Sequence, residues 1–227
     1  SGNTQLTNLN CSNNKFNTLD VSNCANLRNL VCYRETGYTY LTTLNISGCT
    51  NLQTLDCKNN LLSQLNISSC TNLETLICNS NSLSTLNVSS CTNLQTLYCE
   101  SNSRLSNLNL RGFTKLRTLS CAYTNLTELD LSGCTNLVTL ECNECSSLEK
   151  LNLSDCANLT LVNAEGDYNY AELDFRGCKN LVTLNMGFDI TVLPDLSDCE
   201  NLEKIELIGC ESLKTTDISG LKKLKNF

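Results

Sequence analysis

Leu-x-x-Leu-x-Cys recurs along almost the whole chain at a nearly fixed interval, and no other feature restricts the fold so tightly. The unit begins at Leu6-Thr7-Asn8-Leu9-Asn10-Cys11. It returns at Leu27, Leu52, Leu73, Leu94, Leu116, Leu137, Leu159, Leu181 and Leu202, with a stub from Leu224. The interval is 21 or 22 residues at every step but Leu27 to Leu52, where it is 25. A fixed period in this range predicts a solenoid, in which each repeat is one rung packed on its neighbours. One proline, Pro194, and no Gly/Ser-rich or charge-block segment interrupt the period. Residues 1–227 are therefore expected to form a single repeat domain of about ten rungs.

Within the first rung the recurrent apolar positions are Leu6, Leu9, Cys11, Phe16, Leu19, Val21 and Cys24. Leu9 and Cys11 alternate with Asn8, Asn10 and Ser12, which is strand periodicity. Later rungs place Thr54, Thr75, Thr96, Thr118, Thr139 and Thr183 before the second leucine, as suits a parallel ladder. The return half, such as Leu19-Asp20-Val21-Ser22, is too short for a helix of several turns. Short strands or 3-10 turns are expected there, with little α-helix. The Asp/Asn-aliphatic-Ser steps, as at Asp20-Val21-Ser22 and Asn87-Val88-Ser89, place short polar side chains where turn backbone needs partners. Sequons such as Asn45-Ile46-Ser47 follow from that step and read as its by-product.

The stretch Leu52-Gln53-Thr54-Leu55-Asp56-Cys57-Lys58-Asn59-Asn60-Leu61-Leu62, and likewise Leu73 to Leu83, fits Leu-x-x-Leu-x-(Leu/Cys)-x-x-(Asn/Cys)-x-Leu. The chain thus resembles the leucine-rich-repeat proteins. In fuller form its unit looks like the repeats of exported Bacteroides-type leucine-rich-repeat surface proteins, with a length similar to internalin-type repeats. The resemblance implies a solenoid with a parallel β-sheet on a concave face, short strands, turns and loops on the convex face, and a cell-surface or secreted bacterial setting. Departures from the pattern are Thr124, Cys145, Asp167, Asp189 and Cys210 at the ladder Asn, and an insertion within Tyr33 to Tyr40. No cap motif is visible at either end, so the array is expected to continue in a longer protein. No basic–apolar leader opens the chain, so an export signal is expected to have been removed or never present.

The seventeen cysteines fall into two columns, with Cys145 and Cys210 outside them. Where the strand column lacks cysteine it has Ala164, Met186 or Leu207, and where the return column lacks it, Phe113 or Leu221. These substitutes are core fillers, so cysteine is read as a small buried hydrophobe. Disulfides are expected to be few or none, because in-register side chains on parallel strands fit disulfide torsions poorly. Cys142-Asn143-Glu144-Cys145 is the one Cys-x-x-Cys, and with no histidine in the chain it makes a poor zinc site.

The absence of histidine also removes Ser-His-Asp and Cys-His catalysis as normally built, and the ten glycines form no phosphate loop. A non-enzymatic chain without cofactor or metal is expected. The net charge of −7 divides unevenly, with 8 basic and 5 acidic residues in 1–120 against 8 and 18 in 121–227. That disfavours nucleic acid and anionic lipid as partners. No apolar run is long enough to insert in a membrane. Asp167 and Asp189, with Glu165 and Glu144 nearby, form an acidic group to be read either as solvated charge or as cation ligands.

Residues flanking the strand cysteine are expected to face outward, onto the concave side. Among them Val31, Tyr33, Ile77 and Tyr98 are not required by the solenoid and form an apolar–aromatic strip across rungs two to five, bordered by Asp56, Lys58 and Glu100. Tyr38 and Tyr40 lie in the insertion at its edge. Exposed aromatics with a charged rim fit a site for a protein partner, or second a glycan, on a monomeric module. Single apolar residues on a sheet face are also ordinary, and the insertion could instead pack on its own solenoid. The alternatives to recognition are a spacer or stalk with no ligand of its own and, third, ice binding by the Thr column.

Overall fold

The computed structural model describes residues 2–35, 40–166, 170–187, 190, 192–211, 213–214 and 218–226. Two compact units, Ser1–Asn109 and Leu110–Phe227, make up the chain. The first holds β1 (Asn8–Asn10), β2 (Thr18–Asp20), β3 (Asn29–Val31), β4 (Thr43–Asn45), β5 (Thr54–Asp56), β6 (Thr75–Ile77) and β7 (Thr96–Tyr98). The second holds β8 (Thr118–Ser120), β9 (Glu128–Asp130), β10 (Thr139–Glu141), β11 (Lys150–Asn152), β12 (Leu161–Ala164), β13 (Glu172–Asp174), β14 (Thr183–Gly187) and β15 (Lys204–Ile208). No helix occurs among the described residues.

In the first unit the principal wall runs β1-β3-β5-β6-β7 and the return wall pairs β2 with β4; in the second, the walls run β8-β10-β12-β14-β15 and β13-β11-β9. Every strand pairing among the described residues is parallel and one period apart, so each column of the repeat stacks on itself. Leu9, Leu30, Leu55, Leu76 and Leu97 stand in register, as do Thr54, Thr75 and Thr96. The return half forms strands in some rungs and turns without strand pairing around Gln64 to Ser69 and Thr85 to Ser90; no 3-10 helix is found among the described residues.

Leucines of both walls and the two cysteine columns fill the interior, most of them fully enclosed. Burial of these apolar surfaces is what makes stacking favourable, because a lone rung has no second face to cover it. Polar ladders complete the stacking. Asn81 Nδ2 donates to the carbonyls of Cys57, one rung back, and Cys78, in its own rung, at 3.1 and 3.0 Å; Asn60 and Asn102 do the same in their rungs. The Asp/Asn of the return step accepts the amide two residues on, as at Ser22 to Asp20, Ser132 to Asp130 and Arg176 to Asp174. The bond uses a backbone N–H, which is why Arg176 can stand where serine is usual.

All seventeen cysteines are free thiols, fifteen buried and two, Cys11 and Cys210, half-buried. They are more than fillers. In the return column Cys49, Cys134, Cys156 and Cys178 donate Sγ–H to the carbonyls of Val21, Leu110, Leu131 and Leu153, each at 3.2 Å. The thiol thus satisfies a turn carbonyl of the preceding rung in a place where an alkyl group could not.

Candidate protein-binding face

The first unit's sheet carries its strip because the strand alternates: leucine and cysteine point in, and the residues between them point out. Register stacks Asn10, Val31, Asp56, Ile77 and Tyr98 in one outward column. The ladder continues past the strands through Asn13 N–H to Tyr33 O (3.1 Å), Arg34 N–H to Lys58 O (3.3 Å), Asn59 N–H to Asn79 O (2.9 Å) and Ser80 N–H to Glu100 O (2.9 Å). Tyr33, Lys58, Asn79 and Glu100 therefore form the second column beside the first.

These side chains are less exposed than the sequence suggests. Val31, Tyr33, Lys58, Ile77, Tyr98 and Glu100 are half-buried, and Asp56, expected on the rim, is only 8% exposed. Neighbours about 4.8 Å apart shield one another, and Asp56 sits between Val31 and Ile77. Burial pushes its carboxyl up, against the opposing pull of the Lys58 backbone and charge. Lys58 links the two columns. Its Nζ lies 4.9 Å from the centre of the Tyr33 ring and 3.8 Å from Asp56 Oδ2, and its amide donates to Asp56 Oδ1 at 3.2 Å. The ammonium over the ring face is a cation–π contact, which fixes the Tyr33 ring against the sheet.

Tyr40 is half-buried. Tyr38 lies outside the described residues, as do Asp167 and Asp189 of the acidic group. Two features escaped the sequence reading. Arg34, beside the strip, is buried at 7% exposure and donates from Nη1 to the Asn14 carbonyl at 2.7 Å. Tyr123 is 58% exposed with a φ of 56°, in the turn column that Asn13 and Asn59 also occupy at positive φ. A charged residue next to an insertion gives no sequence signal of burial, and a turn column is not one where aromatics are sought.

Among the described residues no three His, Cys, Asp or Glu side chains gather as a metal site. Burial pushes several enclosed thiols up, to about 12 at Cys70, Cys156 and Cys199 and about 11 at Cys134, and a protonated, enclosed thiol is a poor nucleophile; Cys145 runs the other way, lowered to about 7 by hydrogen bonding to Cys121 and Thr124, but it is fully buried. No described helix is long and apolar enough to cross a membrane.

No family model matches the chain, and no curated protein matches it. Solved structures do. The functional domain of InlJ from Listeria monocytogenes, described as including a cysteine ladder, superposes with a TM-score of 0.66 at 29% identity. That match covers 97% of this chain and 52% of the other, so the chain spans about half the length of its relative. The TLR13 chain of a complex with ssRNA13 matches at 20% identity and a TM-score of 0.52, over 98% of this chain and 39% of that one, which is a likeness of fold. With its 21–22-residue period, in-register leucine columns and Asn ladder, and with these structural neighbours, the chain is a leucine-rich-repeat solenoid.

Proposed function

We propose that this chain is a non-catalytic recognition module that holds a protein partner against the outward face of rungs two to five. The observation that carries the reading is the pair of in-register columns in which Val31, Ile77 and Tyr98 stand beside Tyr33, with Lys58 clamped over the Tyr33 ring. Aromatic side chains already held in one orientation lose little freedom on binding, and they are the usual anchors of protein interfaces. Asp56, Glu100 and Tyr40 border the anchors, and Tyr38 joins them by its place in the sequence. The unbroken interval from Leu94 to Leu116 supports counting residues 1–227 as one repeat domain. The InlJ likeness supports a surface or secreted bacterial setting. TLR13 was solved with ssRNA13, but a chain of net charge −7 is a poor match for a polyanion.

The rival is a spacer with no ligand of its own. It is favoured by the half-burial of the same side chains and by their pairing with one another. A pull-down from host and microbial extracts with this chain and a Tyr33→Ala/Tyr98→Ala variant separates the two, once circular dichroism shows both folded. A protein retained by the parent and lost by the variant is the expected result. No specific protein on either bait would support the spacer, and equal retention would move the site elsewhere.

A further inference from the structure

Lys58 sits loosely on Asp56. Its Nζ stands 3.8 Å from Asp56 Oδ2, beyond hydrogen-bonding distance, and 4.9 Å from the centre of the Tyr33 ring. The carboxylate accepts from the Lys58 amide at Oδ1, 3.2 Å away, and among the described residues nothing hydrogen-bonds Oδ2. The Asp56 side chain is 12% exposed, between Val31 and Ile77 in the outward column. Those aliphatic neighbours take its water and return no donor, and burial raises the carboxyl although the Lys58 amide and charge oppose it. Alternation points Asp56 away from the interior, so its remaining surface is open to a partner.

The two outward columns of β1, β3, β5, β6 and β7 hold two acids, Asp56 and Glu100, against one base, Lys58. The charge complement of that face is a cation. Register puts Asp56, Ile77 and Tyr98 on consecutive rungs, so roughly 10 Å separates the first from the last. An extended arginine with its backbone at Tyr98 covers that distance.

We infer that the partner protein sets an arginine on this strip, its guanidinium on Asp56 Oδ2 in place of Lys58 and its stem over Ile77, a step that rests on the recognition reading above. A guanidinium suits an apolar surround better than an ammonium. It is planar and weakly hydrated, its paired N–H donors match a carboxylate, and its flat face stacks on a tyrosine ring. Lys58, one-third exposed on a flexible stem, is free to swing into solvent as the arginine enters.

Nuclear magnetic resonance titration of the isotope-labelled chain tests this without a partner in hand. The probes are N-acetyl-arginine N-methylamide, its lysine analogue and its uncharged citrulline analogue, at constant ionic strength. The arginine probe is expected to shift the Asp56, Ile77 and Tyr98 amides saturably, the lysine probe to bind more weakly and the citrulline probe not to saturate. Asp56→Asn keeps the side chain's shape and an acceptor for the Lys58 amide, and is expected to abolish saturation. Lys58→Met is expected to tighten arginine binding roughly two- to fivefold, the worth of an exposed ion pair. No saturable arginine shift, equal binding of the lysine or citrulline probe, unchanged binding in Asp56→Asn, or no tightening in Lys58→Met would overturn the inference. Adding an Asp56→Asn bait to the pull-down separates it from the reading beneath it. A protein lost by Tyr33→Ala/Tyr98→Ala but kept by Asp56→Asn would leave recognition standing and remove the arginine, whereas no protein on any bait would remove both.

Discussion

Thr124 Oγ1 lies 3.2 Å from the thiol of Cys145 one rung on, and both donate to the carbonyl of Cys121, at 2.7 and 3.1 Å. Two side chains of different chemistry thus do part of what one asparagine does in the earlier rungs. The ladder position asks for a donor aimed at a strand carbonyl, and amide, hydroxyl and thiol all meet that need. Asn81→Ala would strand the Leu62 amide and take one of two asparagine donors from each of the Cys57 and Cys78 carbonyls. It is expected to cost about 2 kcal/mol, read from the urea midpoint, since a stranded buried group costs roughly 1–3 kcal/mol. Asn81→Thr should cost clearly less. Equal losses for both would mean that volume, not hydrogen bonding, governs the column.

Alkaline conditions should weaken this fold steeply. An unfolded thiol ionises near 9.0, while Cys70, Cys156 and Cys199 are held near 12 and Cys134 near 11, burial being the first cause. The folded chain therefore keeps protons that the unfolded chain releases. The stability from these groups is fully present below pH 9 and is lost as pH rises from there toward the folded values. At pH 10 each such thiol should withdraw about 1.4 kcal/mol. Urea midpoints at pH 7.5 and pH 10 check this, and a flat profile would contradict it.

Iodoacetamide at neutral pH should modify Cys11 and Cys210 first, because the other fifteen thiols are buried. Peptide mass spectrometry after brief labelling reads the pattern, with a urea-unfolded sample as the fully reactive reference. Rapid labelling of Cys57 or Cys78 would show that the rungs open locally.

Gly187 ends β14, where a Cβ would come within 2.7 Å of the Gly166 nitrogen and 3.1 Å of its carbonyl oxygen. Both obstacles are backbone and cannot rotate away. Gly187→Ala is expected to cost roughly 1–3 kcal/mol by thermal melt, whereas Gly220→Ala, with open space around it, should be close to neutral.

The fold was legible because a period of 21–22 residues leaves little choice: leucine columns, the inward Cys142, the turn role of the Asp/Asn step and the ladder place of Cys145 all follow from spacing. Hydrogen bonding by the return-column thiols was not legible. Substitution by Phe113 or Leu221 speaks of volume and says nothing of a carbonyl waiting in the preceding rung. The strip's membership could be read from alternation, but not its degree of cover. Asp56 is hidden by Val31 and Ile77, and that follows from which residues neighbouring rungs supply. Arg34 was invisible for a related reason, since its burial depends on an interruption of the period.

The ladder asparagines Asn60, Asn81 and Asn102 reach back one rung and no further, so each of these repeats is joined to its predecessor by the same few bonds. Excising one whole period, for instance residues 71–91, would bring together ends that already match, whereas removing a single residue would put every later column out of step. Such a gene can change length by recombination between its own copies while keeping a working interior, and its outward columns are then free to diverge separately in each copy.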